Sequence, residues 1–243
     1  MSDALTPGEF ARALQERRTA ERRRKWLLGG GIGAAVILVG VAIWLAFFSQ
    51  VLAAQKVAVD GVELLTADEV VAAAQVALGE PLLIQDVRAI GERVESLPAV
   101  RSVDVSRQLP DTVQIAVTER TASYLRESEG GYDWIDEEGV AFHTTPTPVE
   151  GELLAAVEAV EDQQRLLADV ATVADAVPGD LRAQVVAIRA EAVDRISLTL
   201  DGGRTVVWGS AEESDLKAEV IGALLSVEAT VYDVSAPGHP TTK

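Results

Sequence analysis

From Trp26 to Phe48 the chain runs 23 residues without a charge, and beyond Gln50 its apolar positions fall into short periods of two and of three to four. Val57 and Val59 alternate with Ala58 and Asp60, which predicts a strand closed by the Asp60-Gly61 turn. Thr66 and Glu69 have capping-box spacing ahead of Val70, Ala73, Ala74 and Ala77, one face of a helix that Gly79 and Pro81 stop. Asp86 is placed to cap a second helix, with Val87, Ile90, Val94 and Leu97 on one side and Pro98 at its end. Val103 and Val105, then Val113, Ile115 and Val117, alternate on either side of Pro110-Asp111. The pattern over residues 51–120 is therefore β-α-α-β-β, with the last two strands as a hairpin.

Residues 121–236 predict a second, mixed unit. Short strands are expected at Tyr132–Ile135 and Val140–Phe142 around the Glu138-Gly139 turn. From Glu152 to Val177 the period is helical, with Leu166, Val170, Val173 and Val177 on one face. Strands follow at Gln184–Arg189 and Asp194–Leu200, and Asp201-Gly202-Gly203 is a hairpin signal before Thr205–Trp208. Ser210 and Glu213 have capping-box spacing ahead of Leu216, Val220, Leu224 and Val227. Thr230–Val234 is the expected final strand, and residues 237–243 are expected to be a frayed tail.

The charge-free run has the length of a membrane helix, for which about 20 apolar residues suffice. It follows Arg17, Arg18, Arg22, Arg23, Arg24 and Lys25, and such clusters stay on the cytoplasmic side. The expected topology is a cytoplasmic tail over 1–25, a single span over 26–48 and an extracytoplasmic remainder. A cleaved signal peptide has a shorter apolar core, about 7–15 residues, and a buried core helix has no reason for a one-sided basic flank. Trp26 and Trp44 lie where interfacial aromatics sit. Gly29 and Gly33 have the small-xxx-small spacing of paired membrane helices, which a glycine-rich stretch also produces by chance.

The net charge of −17 is unevenly placed. Seven basic and four acidic residues precede Trp26, whereas 14 basic and 34 acidic residues follow it. So acidic an exported part argues against nucleic-acid binding. With no cysteine in the chain, disulfide and thiolate chemistry are excluded.

No catalytic set, cofactor or metal site emerges. Ser214-Asp215-Leu216-Lys217 fits S-x-x-K, but the companion S-D-N and K-T-G motifs are absent, and a solvated helix face is the plainer reading. Asp136-Glu137-Glu138 lacks the spacing of a calcium loop. His143 and His239 stand 96 positions apart, and there is no phosphate-binding glycine loop. What remains is recognition: a last strand often forms a sheet edge, where unpaired backbone groups can accept another chain.

The order of these parts resembles the bacterial cell-division protein family FtsQ/DivIB, of actinobacterial type. The resemblance is carried by Val57-Ala58-Val59-Asp60-Gly61, Leu97-Pro98-Ala99-Val100, Val105 to Val113 and Val117-Thr118-Glu119-Arg120. It continues in Trp134-Ile135-Asp136 with Gly139, Leu200-Asp201-Gly202, Val206–Gly209, Lys217 and Tyr232 to Pro237. Thr121 departs from it, since a proline often follows the Glu-Arg pair, and Val149 to Val177 match weakly. Arginine outnumbers lysine 17 to 4, which suits the actinobacterial type.

The resemblance implies an α+β protein in which a single transmembrane helix leads to a POTRA-like domain and then to a β domain with an exposed terminal strand. It implies a non-catalytic, bitopic scaffold at the division septum. Such a scaffold holds membrane partners of the FtsB and FtsL type and connects them to septal peptidoglycan synthesis. Carried to this chain, the partner-binding edge is Tyr232, Asp233, Val234, Ser235 and Ala236, with Arg195 as an accessory cation. A recruitment surface is expected around Val57, Val59, Asp60 and Gly61. The rival reading is a membrane-anchored envelope sensor or ligand-binding protein with a concave apolar pocket and no exposed edge. On the edge-strand reading, Val234→Pro removes a donor to the partner.

Overall fold

A computed structural model describes residues 30–41, 44, 50–158 and 162–243. Residues 30–41 form helix α1, and Trp44 is helical too. Ile32, Val36, Ile37, Leu38, Val39, Val41 and Trp44 are all exposed, so this helix shows apolar side chains on every side. Among the described residues no helix is long and apolar enough to cross a membrane. The basic tail, Gly29 and much of the expected 26–48 span lie outside the described residues.

Packing divides the chain into two compact units. One takes the chain up to Ala58 with Gln75–Ile90 and Val105–Ile115; the other takes Val59–Ala74, Gly91–Asp104 and Ala116–Lys243. The expected β-α-α-β-β order is present as β1 (Lys56–Asp60), α2 (Ala67–Ala74), α3 (Val87–Glu95), β2 (Val100–Gln108) and β3 (Thr112–Glu119). These strands form a three-stranded sheet in the order β1-β3-β2, so β1 is an edge. The capping box forms as expected. The Thr66 N–H donates to the Glu69 carboxylate at 2.8 Å, and the Glu69 N–H to Thr66 Oγ1 at 3.3 Å. Asp86 caps α3 by accepting from the Ala89 N–H at 3.1 Å.

In the first unit the chain leaves a 3-10 turn at Gln50–Leu52. The Ala54 N–H donates to the Glu80 carbonyl, the Gly79 N–H to the Ala54 carbonyl, and the Gln55 N–H to the Asp111 carbonyl, each at 2.8 Å. The buried Gln85 donates to the Ala77 carbonyl at 2.7 Å, and its own carbonyl accepts from Arg107 at 2.6 Å. These bonds gather residues 51–56, 77–85 and 107–111.

The remaining strands form a nine-stranded sheet in the order β12-β11-β10-β9-β8-β7-β4-β5-β6. They are β4 (Tyr124–Ser128), β5 (Gly131–Ile135), β6 (Ala141–Thr145), β7 (Leu154–Val157), β8 (Val185–Ala192), β9 (Arg195–Leu200), β10 (Thr205–Gly209), β11 (Val231–Asp233) and β12 (Thr241–Thr242). Helices α4 (Gln163–Ala176), α5 (Gly179–Arg182) and α6 (Ser214–Leu224) complete this part. Its core joins Leu166, Val170 and Val173 of α4 to Ile188, Leu198, Val206, Trp208, Ile221 and Tyr232.

The structure corrects several expectations. The helical reading from Glu152 held only from Gln163, where the Asp162 side chain accepts from the Arg165 N–H. Leu154–Val157 is instead a strand between β4 and β8, parallel to both. The Ser210/Glu213 box does not form, because Glu213 takes a left-handed conformation at φ 53° and makes no side-chain cap. Residues 237–243 are not frayed throughout: the chain turns back and Thr241–Thr242 pairs antiparallel with β11.

Candidate partner-binding surface

β11 runs parallel to β10, with Thr205 opposite Val231 and Val207 opposite Asp233. Alternation along a strand splits its backbone groups between two sides. The Thr230 carbonyl accepts from the Thr205 N–H, and the Val234 N–H donates to the Val207 carbonyl at 3.0 Å. The Thr230 carbonyl, position 232 and the Val234 N–H therefore serve the parent sheet, and 231 and 233 face the other way.

That outward side is occupied. Val231 and Lys243 exchange backbone bonds of 3.0 and 2.9 Å, and Thr230 adds bonds from its N–H and Oγ1 to the Lys243 carbonyl. Tyr232 is paired with Thr242 and Asp233 with Thr241. The strand expected to be an exposed edge thus lies one place in from it, and the two-residue β12 forms the rim.

The carried residues divide by role. Tyr232 and Val234 are buried in the core, and the Tyr232 hydroxyl donates to the Val227 carbonyl at 2.8 Å. Asp233 accepts from both the N–H and the hydroxyl of Ser235, at 3.0 and 2.7 Å, which turns the chain out of the strand. Ser235 and Ala236 are exposed and lie beyond β11. Val234→Pro consequently cannot isolate partner binding, because the N–H it removes belongs to the parent sheet. Arg195 is exposed at the start of β9, with β10 between it and β11. Gly209 closes this end of the sheet: at φ +81°, a Cβ there would lie 2.8 Å from the Ser235 Cβ.

Val57 and Val59 are half-buried on the edge strand β1, and Asp60 is exposed. Gly61 has a structural duty, since its φ is +81° and an added Cβ would sit 2.1 Å from the Val117 carbonyl oxygen.

Two residues noted only as a pattern prove to be organisers. Glu119 accepts from the N–H groups of Glu63, Leu64 and Leu65 at 3.0, 2.8 and 2.8 Å, fixing the loop before α2. Burial opposes its ionised form, but these three donors prevail and hold the carboxyl below its usual range. The Arg120 guanidinium donates to Asp136 and, at 2.9 Å, to Glu138. No short-range signal announces either role, because the partners lie between 16 and 56 positions away.

The remaining chemical candidates are structural. Asp136 accepts from the N–H groups of Glu138 and Val140 and shapes the acidic turn. His143 stacks edge-on against Trp134, with ring centres 5.3 Å apart. The Ser214 hydroxyl donates to the Ala211 carbonyl at 2.8 Å and accepts from the Trp208 indole at 3.1 Å. Lys217 is buried, donates to the Ser210 carbonyl at 2.8 Å and titrates below an ordinary lysine because burial disfavours its charge. Serine and lysine of S-x-x-K therefore serve separate backbone carbonyls. A 640 Å³ cleft beside Ser214 is lined by Glu137, Glu138, Asp175, Glu213 and Asp215 together with Thr172, Ala176 and Ala211.

The profile of the POTRA domain, FtsQ-type, matches residues 52–120, and that of the cell division protein FtsQ/DivIB, C-terminal, matches residues 123–234. The chain belongs to the FtsQ/DivIB family of cell-division proteins. A cell division protein FtsQ from Streptomyces bingchenggensis is 38% identical over 234 residues, 92% of this chain and 88% of the relative. One from Mycolicibacterium smegmatis is 37% identical over 211 residues, 86% of this chain and 63% of the relative. One from Streptomyces venezuelae is 33% identical over 240 residues, 93% of this chain and 89% of the relative. The FtsQ/DivIB profile covers β11 but stops at Val234, so β12 and the turn leading to it lie outside the matched region.

Proposed function

We propose that this chain is a non-catalytic, bitopic scaffold of the divisome. It holds small membrane partners of the FtsB and FtsL type and connects them to septal peptidoglycan synthesis. The observation that carries this reading is the order of the two family matches, 52–120 and 123–234, directly behind an apolar helix. Residues 26–48 anchor the chain, with the arginine-rich segment cytoplasmic and the acidic bulk outside. The exposed apolar faces of α1 suit lipid and would be costly in water. Residues 51–120 and the β domain act outside the membrane, with the surface around Val57, Val59, Asp60 and Gly61 aiding recruitment.

The partner segment adds as a strand along β11, using the backbone of Val231 and Asp233, with Ser235, Ala236 and Arg195 at the same end. To do so it takes the place of Thr241 to Lys243, the short rim strand and its last residue. The experiment is co-isolation of the full chain from membranes with co-expressed FtsB- and FtsL-type proteins, repeated after removing Thr241 to Lys243. Capture by the intact chain, strengthened by the truncation, supports the reading. No capture by either form contradicts it.

A further inference from the structure

Nine large apolar side chains beyond Trp44 are exposed among the described residues, and five of them fall in the first unit: Val51, Leu78, Leu83, Ile84 and Leu109. They are between 45% and 68% exposed, too open to be serving a core. Their backbones are tied together. Ala53 bridges Pro81, Gly79 and Ala54 share a hydrogen bond, and Gln55 and Lys56 both donate to the Asp111 carbonyl. Arg107 reaches the Gln85 carbonyl beside Ile84. The five apolar residues thus lie on or beside segments that these bonds tie to residues 53–56 or to one another.

The charge of this unit is also unlike the rest. Beyond Gln50 it holds Lys56, Arg88 and Arg107 against Glu80, Asp86 and Asp111, a balanced set in an exported part that is strongly acidic. Repulsion from anionic lipid is therefore smallest here.

We propose that Val51, Leu78, Leu83, Ile84 and Leu109 form a rim seated in the interfacial layer of the membrane that anchors the chain. The proposal rests on the anchor reading above. Val51 lies three residues beyond the span's expected end at Phe48, and three residues reach about 10 Å at most. Val51 therefore stays within reach of the interfacial layer, which apolar side chains enter to about 5–10 Å. Seating the rim would restrict the tilt of the first unit relative to the bilayer, which a flexible stalk would not do.

The test uses the full chain in anionic phospholipid vesicles. The protein contains no cysteine, so Ile84→Cys and Leu109→Cys each carry a single polarity-sensitive fluorophore. Val186→Cys, exposed in β8, serves as the control, and Val36→Cys in α1 reports the anchor. The expected result is blue-shifted emission at 84 and 109 and at least a twofold loss of intensity with lipids brominated high in the acyl chain. The label at 186 stays water-like. Water-like emission at 84 and 109, with deep-brominated lipids quenching the label at 36, overturns the rim and leaves the anchor intact. No quenching at 36 overturns the anchor and the rim together. A blue shift at 84 and 109 that needs co-reconstituted partner proteins and survives without lipid quenching assigns the rim to a protein, which also overturns the proposal.

Discussion

Glu119 gives the clearest residue-scale prediction. One carboxylate satisfies three backbone N–H groups, and bonds to a charged acceptor contribute about 1.5–3 kcal/mol each in favourable cases. Glu119→Ala should therefore cost about 2–3 kcal/mol, read as a lower denaturant midpoint with unchanged slope. Glu69, held down by bonds from Thr66, and Glu119 both titrate below their ordinary value of 4.5 when folded. The unfolded chain binds those protons more readily, so their contribution is complete above about pH 4.5 and fades as pH falls through the lower folded values. An acid titration should show the wild type losing stability there and Glu119→Ala losing less. Gly61→Ala should destabilise by roughly 2 kcal/mol or more, since it combines a left-handed φ with a clash against a carbonyl. Ser214→Ala removes the acceptor of a buried indole. It should cost about 1–2 kcal/mol while septation continues at permissive temperature; loss of division without loss of folding would revive a chemical role for Ser214.

Most of the elements were legible because their signals are local. The Thr66/Glu69 box, the Asp86 cap, the Asp201-Gly202-Gly203 turn and the alternation at Ile196, Leu198 and Leu200 all use residues within a few positions of each other. β7 was not legible. Leu153-Leu154-Ala155-Ala156-Val157 has ordinary helical propensity, and it becomes a strand because a slot between β4 and β8 accepts it on both sides. β12 was hidden for a similar reason. Thr241-Thr242 has no pattern of its own, and its partner is the far side of a hairpin that begins at the Asp233–Ser235 turn. Deleting Thr241 to Lys243 should leave the chain folded, at a lower melting temperature, and tighten binding of the partner segment roughly tenfold, or about 1.4 kcal/mol. Thermal melts and binding to the intact and truncated chains in nanodiscs measure the two effects. Weaker binding after the deletion would mean that the tail belongs to the interface.

At the scale of the molecule, the family was readable from the order of parts, whereas the pairing of the last strands was readable only in outline. The sequence located the last core strand, but not which of its backbone groups already serve β10. Tyr232 and Val234 looked like contact residues and are core residues; Val231, just outside the carried set, supplies outward backbone groups. If the chain serves septation as proposed, depletion in cells should stop it. The native chain is depleted while a fluorescent copy is followed. The expected result is filamentous or branched cells with few septa, and a mid-cell band of the copy that restores division. Normal division after depletion, with fluorescence spread evenly around the envelope, would contradict it.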